Sequence, residues 1–187
     1  MEQFDCWIEM NDGVRLAASV WLPDQRPVPC VLEALPYRKD DITASYGETY
    51  ELLARAGFAA CRVDVRGTGS SGGIATDEYG DLEVSDLTTV ITWLAAQDWC
   101  TGKVCMRRTS YSGFNSLHLA AAGVPELGAV CAIYSSDDRF TDDVHYTGGV
   151  LRAVDIVDYI TYMVPMNALP PVPALWGDGW LDEWHRR

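Results

Sequence analysis

The sequence predicts an α/β fold with a mostly parallel sheet, an N-terminal β-hairpin and the start of a helical excursion, and three observations point there. Short apolar runs alternate with helical segments from Val28 to Tyr134, the signature of a parallel sheet covered on both faces by crossover helices. Two strand-like runs flank an Asn11-Asp12-Gly13 turn near the N-terminus, which reads as a hairpin. The rhythm stops at about Ser135, where acidic, apolar helical and proline-rich stretches follow one another.

The elements follow in order. Phe4 to Met10 and Arg15 to Leu22 form the hairpin, and Pro23 to Pro29 is a proline-rich connection. Val28 to Leu35 is apolar except for Glu33, as suits a strand buried on both faces. A helix over about Tyr46 to Ala56 is closed by Gly57. Phe58 to Val65 is a second buried strand, ended by the glycine-rich stretch Arg66 to Gly73. In the helix expected over Glu78 to Ala96, Leu87, Val90, Ile91 and Leu94 recur at three- and four-residue spacing and give it one apolar face. Lys103 to Met106, Tyr111 to Ala122 and Gly128 to Tyr134 then read as strand, helix and strand. This divides the chain into a sheet-forming part, 1–134, and the beginning of a cap-like part, 135–187, with a helix around Val150 to Met163 and prolines at 165, 170, 171 and 173.

Composition removes several classes of function. With 48% hydrophobic and 22% charged residues the chain is ordinary for a globular protein. A formal net charge of −13 and no Lys/Arg cluster argue against a nucleic-acid partner, which requires a basic face. No run approaches the roughly 18 apolar residues of a membrane helix, and residues 1–5 do not resemble a secretory signal. The six cysteines, at 6, 30, 61, 100, 105 and 131, contain no C-x-x-C pair and suggest neither a zinc site nor a disulfide framework. Cys30, Cys61, Cys105 and Cys131 fall in apolar runs, where a thiol acts as a small hydrophobe. A cytoplasmic location is expected.

Chemistry concentrates in Lys103 to Phe114. A strand, an abrupt turn at Ser110 and a helix opening with Tyr111-Ser112-Gly113 is the context of a nucleophile elbow, in which the serine Oγ is thrust out at the carboxyl end of the sheet. A serine that merely caps a helix has the same local sequence. Tyr37, in the loop after the first parallel strand, is placed where such folds take an oxyanion donor, alongside the backbone N–H of Tyr111; a half-buried loop aromatic is the plainer alternative. Arg66 to Gly73 lacks both Walker and dinucleotide spacing and reads as a structural turn.

These residues carry a resemblance. Asn11 to Ala17, Leu35-Pro36-Tyr37-Arg38-Lys39-Asp40, Val63 to Gly69, Trp93 to Cys100, Thr109 to Asn115, Ser136 to Phe140 and Asp142 to Tyr146 together are similar, in order, to the cocaine esterase / X-prolyl dipeptidyl peptidase group of α/β-hydrolases, the CocE/NonD hydrolases. The resemblance implies a partial α/β-hydrolase fold and cleavage of a small ester or X-Pro peptide through an acyl-enzyme, with neither metal nor organic cofactor. It implies Ser110 as nucleophile, with the Tyr37 hydroxyl and the Tyr111 N–H as the oxyanion hole.

The sequence departs from that pattern in two ways. Arg108 stands in place of the leading glycine of the elbow, Arg107 in place of a large apolar residue and Cys105 in place of a glycine. A side chain at 108 is expected to crowd the turn and disturb the serine's aim. Second, the fold's order is Ser, then Asp or Glu, then His, whereas the three histidines lie in the helix after Ser110 (His118), in the acidic stretch (His145) and near the C-terminus (His185). Asp137 with His145 is the only pairing that offers itself, so this chain is expected to lack the Asp and His of a triad and to resemble the N-terminal third of a family member. The alternative is a non-catalytic remnant acting as an interaction module, and the apolar strand 128–134 is expected to be an open edge prone to self-association.

Overall fold

The computed structural model describes residues 1–40 and 47–187. Strands β1 (Glu2–Glu9), β2 (Arg15–Leu22), β3 (Val28–Leu35), β4 (Ala59–Asp64), β5 (Cys100–Thr109) and β6 (Leu127–Ile133) form one sheet in the order β1-β2-β4-β3-β5-β6. The hairpin strands and β2–β4 are antiparallel; β3–β4, β3–β5 and β5–β6 are parallel. Helices α1 (Gly47–Arg55), α2 (Asp81–Ala95) and α3 (Tyr111–Ala122) are the crossovers. This is the mixed, mostly parallel sheet that the alternation predicts, hairpin included.

The main core lies between the sheet and α2 and α3. Leu87, Val90, Ile91 and Leu94 meet Leu32, Cys61, Val63, Val104 and Met106 from the sheet and Leu119 from α3. The predicted apolar stripe of α2 is therefore the buried one. On the other face α1 sets Tyr50 and Ala54 against Trp21 and Ala60, with the Trp21 and Tyr50 rings stacked 4.5 Å apart.

Element boundaries differ from expectation for local reasons. The expected start of α1 at Tyr46 lies outside the described residues. Helix α2 begins at Asp81 rather than Glu78 because Tyr79 has φ +60 and its N–H is taken by the Glu83 side chain at 3.0 Å. Strand β5 runs from Cys100 to Thr109, well past the apolar core of the run, because its ends find ladder partners: Val28 opposite Cys100, and Cys131 to Ile133 opposite Arg107 to Thr109. Cys131 is exposed, whereas Cys30 and Cys61 are fully buried; β6 closes the sheet at one edge and its outer side chains meet no covering layer. All six cysteines are free.

Beyond β6 come a two-stranded ribbon, β7 (Tyr146–Thr147) with β8 (Val150–Leu151), then α4 (Ala153–Asn167), α5 (Pro173–Trp176) and α6 (Trp180–Arg186). Helix α4 extends past the expected Met163 and contains Pro165 in its last turn. These elements return to the carboxyl ends of the strands. The Trp176 indole donates to Ser70 O at 2.8 Å, Arg38 donates to Leu169 O and Pro170 O, and the Arg187 guanidinium reaches Gly69 O and Ser71 O.

Arg66 to Gly73 is a structural turn, as its spacing predicts. The buried Asp64 carboxylate accepts the Ser70 N–H at 2.8 Å and, from the loop after β3, the Lys39 N–H at 2.7 Å. Arg66 pairs with Asp86 on α2 and Asp12 in the hairpin turn. Burial pushes the Asp64 carboxyl from its ordinary 3.8 up to about 7, against the Ser70 hydrogen bond and the Lys39 charge. Gly69 has φ +51, and a Cβ there would stand 2.1 Å from the Asp64 Oδ2.

Two outcomes follow from this node. Gly69→Ala should cost about 3 kcal/mol through strain and loss of buried hydrogen bonds, lowering the melting temperature by roughly 6–12 °C; an unchanged thermal transition would refute the steric argument. In a 13C titration the Asp64 carboxyl should move near pH 7. Its ionisation costs the fold nothing below the unfolded value near 3.8, and the cost accrues as pH rises to about 7, by at most about 1.4 kcal/mol per pH unit. A carboxyl that titrates below pH 5 would contradict this.

Candidate active site

Ser110 joins β5 to α3 with φ +61 and ψ −122, backbone angles that a side-chain-bearing residue adopts only where its surroundings hold it there. Its N–H is fixed by Ile133 O at 2.8 Å. Helix α3 can follow so closely because residue 113 is glycine: a Cβ there would lie 2.8 Å from the Ser135 hydroxyl and 3.0 Å from Arg108 O. The result is a sharp strand-to-helix turn with its serine at the carboxyl end of the sheet, the geometry that a nucleophile elbow requires. The first N–H groups of α3, Tyr111 among them, have no acceptor inside the helix and surround the turn with positive dipole.

Arg108 does not displace the turn. Its side chain leaves the crowded side and runs across β3, where Nε pairs with Glu33 Oε1 at 2.6 Å. The Glu33 Oε2 accepts the Tyr50 hydroxyl from α1. Burial pushes the Glu33 carboxyl up to about 7, opposed by the positive charges of Arg108, Arg62 and Arg107. The expected crowding is thus relieved by a buried partner that the sequence shows only as one polar residue in an apolar run.

The structure brings Tyr37 and Ser110 together. The Tyr37 hydroxyl shares a cavity wall with Ser110 and lies near the Ser110 and Tyr159 side chains; burial pushes its pKa up to about 12, opposed by those two groups. Its ring packs edge-on against Tyr111 at 6.0 Å and beside Tyr162 of α4 at 6.3 Å. The Tyr111 side chain turns towards α2, where its hydroxyl donates to Glu83 at 2.9 Å and its ring stacks on Tyr79 at 4.2 Å. Burial raises the Tyr111 pKa. Only the backbone of Tyr111 is therefore offered to the turn.

Three supporting residues escaped the sequence reading. Glu83 gathers Tyr111, Asn115 and the Tyr79 N–H, and burial lifts its pKa. Tyr159 touches Tyr37 and donates to Glu78 at 2.6 Å. Glu33 receives Arg108 and Tyr50. Each was a lone polar residue on an otherwise assigned element, and only the apolar setting of Glu33 offered a signal.

No histidine is brought to Ser110 by a recorded contact among the described residues. His118 faces Tyr79, and burial followed by the Arg139 charge lowers its pKa. The His145 ring sits 5.1 Å from Tyr159, and His185 stacks on Trp184. No ion pair joins Asp137 to His145 among the described residues. Two cavities flank the serine. One of about 520 Å³ is lined by Ser110, Tyr37, Arg107, Arg108, Arg62 and Glu33. A second, of about 370 Å³, lies beyond Tyr111, between Glu78, Glu83, Thr68, Pro36 and Met163. Among the described residues no group of three or more His, Cys, Asp or Glu side chains could hold a metal ion, and no helix is long and apolar enough to cross a membrane.

Comparison with known proteins agrees with this geometry. The family described as X-Pro dipeptidyl-peptidase (S15 family) matches residues 12–186. A cocaine esterase of Rhodococcus is 33% identical over 147 residues, 77% of this chain and 25% of that protein. A CocE/NonD family hydrolase of Staphylococcus aureus superimposes with a TM-score of 0.76 at 20% identity over 97% of this chain and 34% of its own. An aminopeptidase of a Thaumarchaeota archaeon gives 0.73 at 23% identity over 87% and 30%. The chain therefore spans about a third of the length, or less, of these three proteins. With its sheet order, its elbow-like turn and a match over nearly its whole length, the chain belongs to the X-Pro dipeptidyl-peptidase (S15) family and has part of an α/β-hydrolase fold.

Proposed function

We propose that Ser110 is the nucleophile of a serine hydrolase that cleaves a small ester or an X-Pro amide through an acyl-enzyme. The observation that carries this reading is the held φ of +61 at Ser110, with Tyr37 facing the same cavity. In this reading Oγ adds to the substrate carbonyl, and the oxyanion is received by the Tyr37 O–H and the Tyr111 N–H. The leaving alcohol or amine departs with a proton, and water then releases the acid. A serine without an adjacent base is a weak nucleophile. Full activity in this reading therefore calls for an acid–base pair beside Ser110, which by the order of the fold follows the nucleophile in sequence.

Residues 135–187 serve in this reading as the start of a cap. Support comes from Tyr159 and Tyr162 against Tyr37, and from the Leu169 and Pro170 carbonyls that receive Arg38.

With an acid–base pair supplied beside Ser110, a fluorophosphonate probe should label Ser110 alone, Ser110→Ala should abolish labelling, and Tyr37→Phe should slow it by about 100-fold, the usual effect of losing one oxyanion donor. Labelling elsewhere, or a Tyr37→Phe rate equal to wild type, would sink the assignment. The open β6 edge is proposed to pair with a second copy, since it carries no proline or charged residue along Leu127–Ile133. Sedimentation velocity should show concentration-dependent association that Ala132→Lys suppresses. A single monomeric species in the wild type at all concentrations would reject it.

A further inference from the structure

Arg107 and Arg108 are the residues that the proposed chemistry leaves without a task, and both line the 520 Å³ cavity beside Ser110. Across β5, β3 and β4, Arg107, Glu33 and Arg62 form a row of charges on the α1 side of the sheet. Glu33 pairs with Arg62 in the strand register and feels all three arginines. Both Glu33 oxygens are engaged, one by Arg108 Nε and the other by the Tyr50 hydroxyl.

Two positive groups remain. Arg107 is exposed on the cavity wall and makes no ion pair among the described residues. Arg62 is 2% exposed; its Nη2 donates to Arg38 O at 3.2 Å, and its Nε has no hydrogen-bond partner. An unmet N–H on a buried guanidinium costs about 1–3 kcal/mol or more, and guanidinium groups hold carboxylates well through paired N–H donors. Among the described residues the lining thus carries three arginines and one carboxylate, which is ion-paired with Arg108. A basic pocket in a chain of net charge −13 is a local arrangement that the overall composition does not provide.

We propose that this cavity binds a free carboxylate on the acyl side of the substrate, so that the preferred substrates are monoesters or monoamides of short dicarboxylic acids, held by Arg107 and Arg62. The proposal rests on Ser110 as nucleophile. In the reaction Ser110 Oγ bonds to the carbonyl carbon and the carbon–oxygen bond to the alcohol breaks. The alcohol leaves with the serine proton, and water cleaves the acyl-enzyme to give the dicarboxylic acid and regenerate the hydroxyl.

The test separates binding from chemistry. Monomethyl succinate and its uncharged counterpart, dimethyl succinate, are titrated into the Ser110→Ala chain while the arginine Nε–H signals are followed by 15N NMR. Monomethyl succinate should shift the Arg62 and Arg107 signals and bind at least about tenfold more tightly than the diester. Arg107→Gln, an exposed change that spares the core, should remove about tenfold of that affinity, the ratio that 1.4 kcal/mol represents. A monoester with its carboxylate on the alcohol side should bind no better than the diester. Equal binding of the charged and neutral compounds, or affinity unchanged in Arg107→Gln, overturns the proposal. Fluorophosphonate labelling of wild-type Ser110 without a carboxylate preference refutes this pocket alone, whereas the preference without labelling refutes the nucleophile.

Discussion

A single buried carboxylate, Asp64 at the end of β4, ties together the three segments on which the site depends. One oxygen fixes the Lys39 N–H and with it the loop that carries Tyr37; the other fixes the Ser70 N–H and the glycine-rich turn. Through Ser70 the same node extends to the returning helices, since Ser70 Oγ receives the Val172 N–H and Ser70 O receives the Trp176 indole. Such a group is expensive to bury and is retained only when its acceptors are filled. Gly69 is the residue that lets the turn close over it.

The second constraint is steric and sits at Ser110. The strained backbone there persists because the Ile133 carbonyl holds one side and the glycine at 113 lets α3 pack tightly on the other. Arg108 shows how a bulky residue is admitted at such a turn: the side chain is led away along the sheet to a carboxylate waiting on the neighbouring strand. Arg108, Glu33 and Tyr50 thus act as one unit, and a change at any of them is felt at the other two.

Most of the architecture was legible because it is written in periodicity. The stripe Leu87, Val90, Ile91, Leu94 and the apolar runs of β3 and β4 are set by burial, which a sequence displays directly. The Ser110 turn and Tyr37 were legible through short motifs. What stayed hidden depends on which strand lies beside which. Glu33 becomes meaningful only when β5 places Arg108 next to it, and Tyr159 only when α4 returns to Tyr37 from more than a hundred residues away. The start of α2 was misplaced for a similar reason, since nothing in Glu78-Tyr79-Gly80 announces a left-handed tyrosine held by Glu83.

The strand order also bears on how the molecule is made. From β4 onward each strand pairs with one that precedes it in the chain: β4 with β2 and β3, β5 with β3, and β6 with β5. A sheet of this kind can grow as the polypeptide leaves the ribosome: β4 fills the gap between β2 and β3, and the open margin then passes from β3 to β5 and on to β6. Once β6 has emerged, residues 135–187 take several seconds more to appear at about 5–20 residues per second. During that interval the apolar margin at Ala129 and Ala132 is exposed, so nascent-chain chaperones have most to do there.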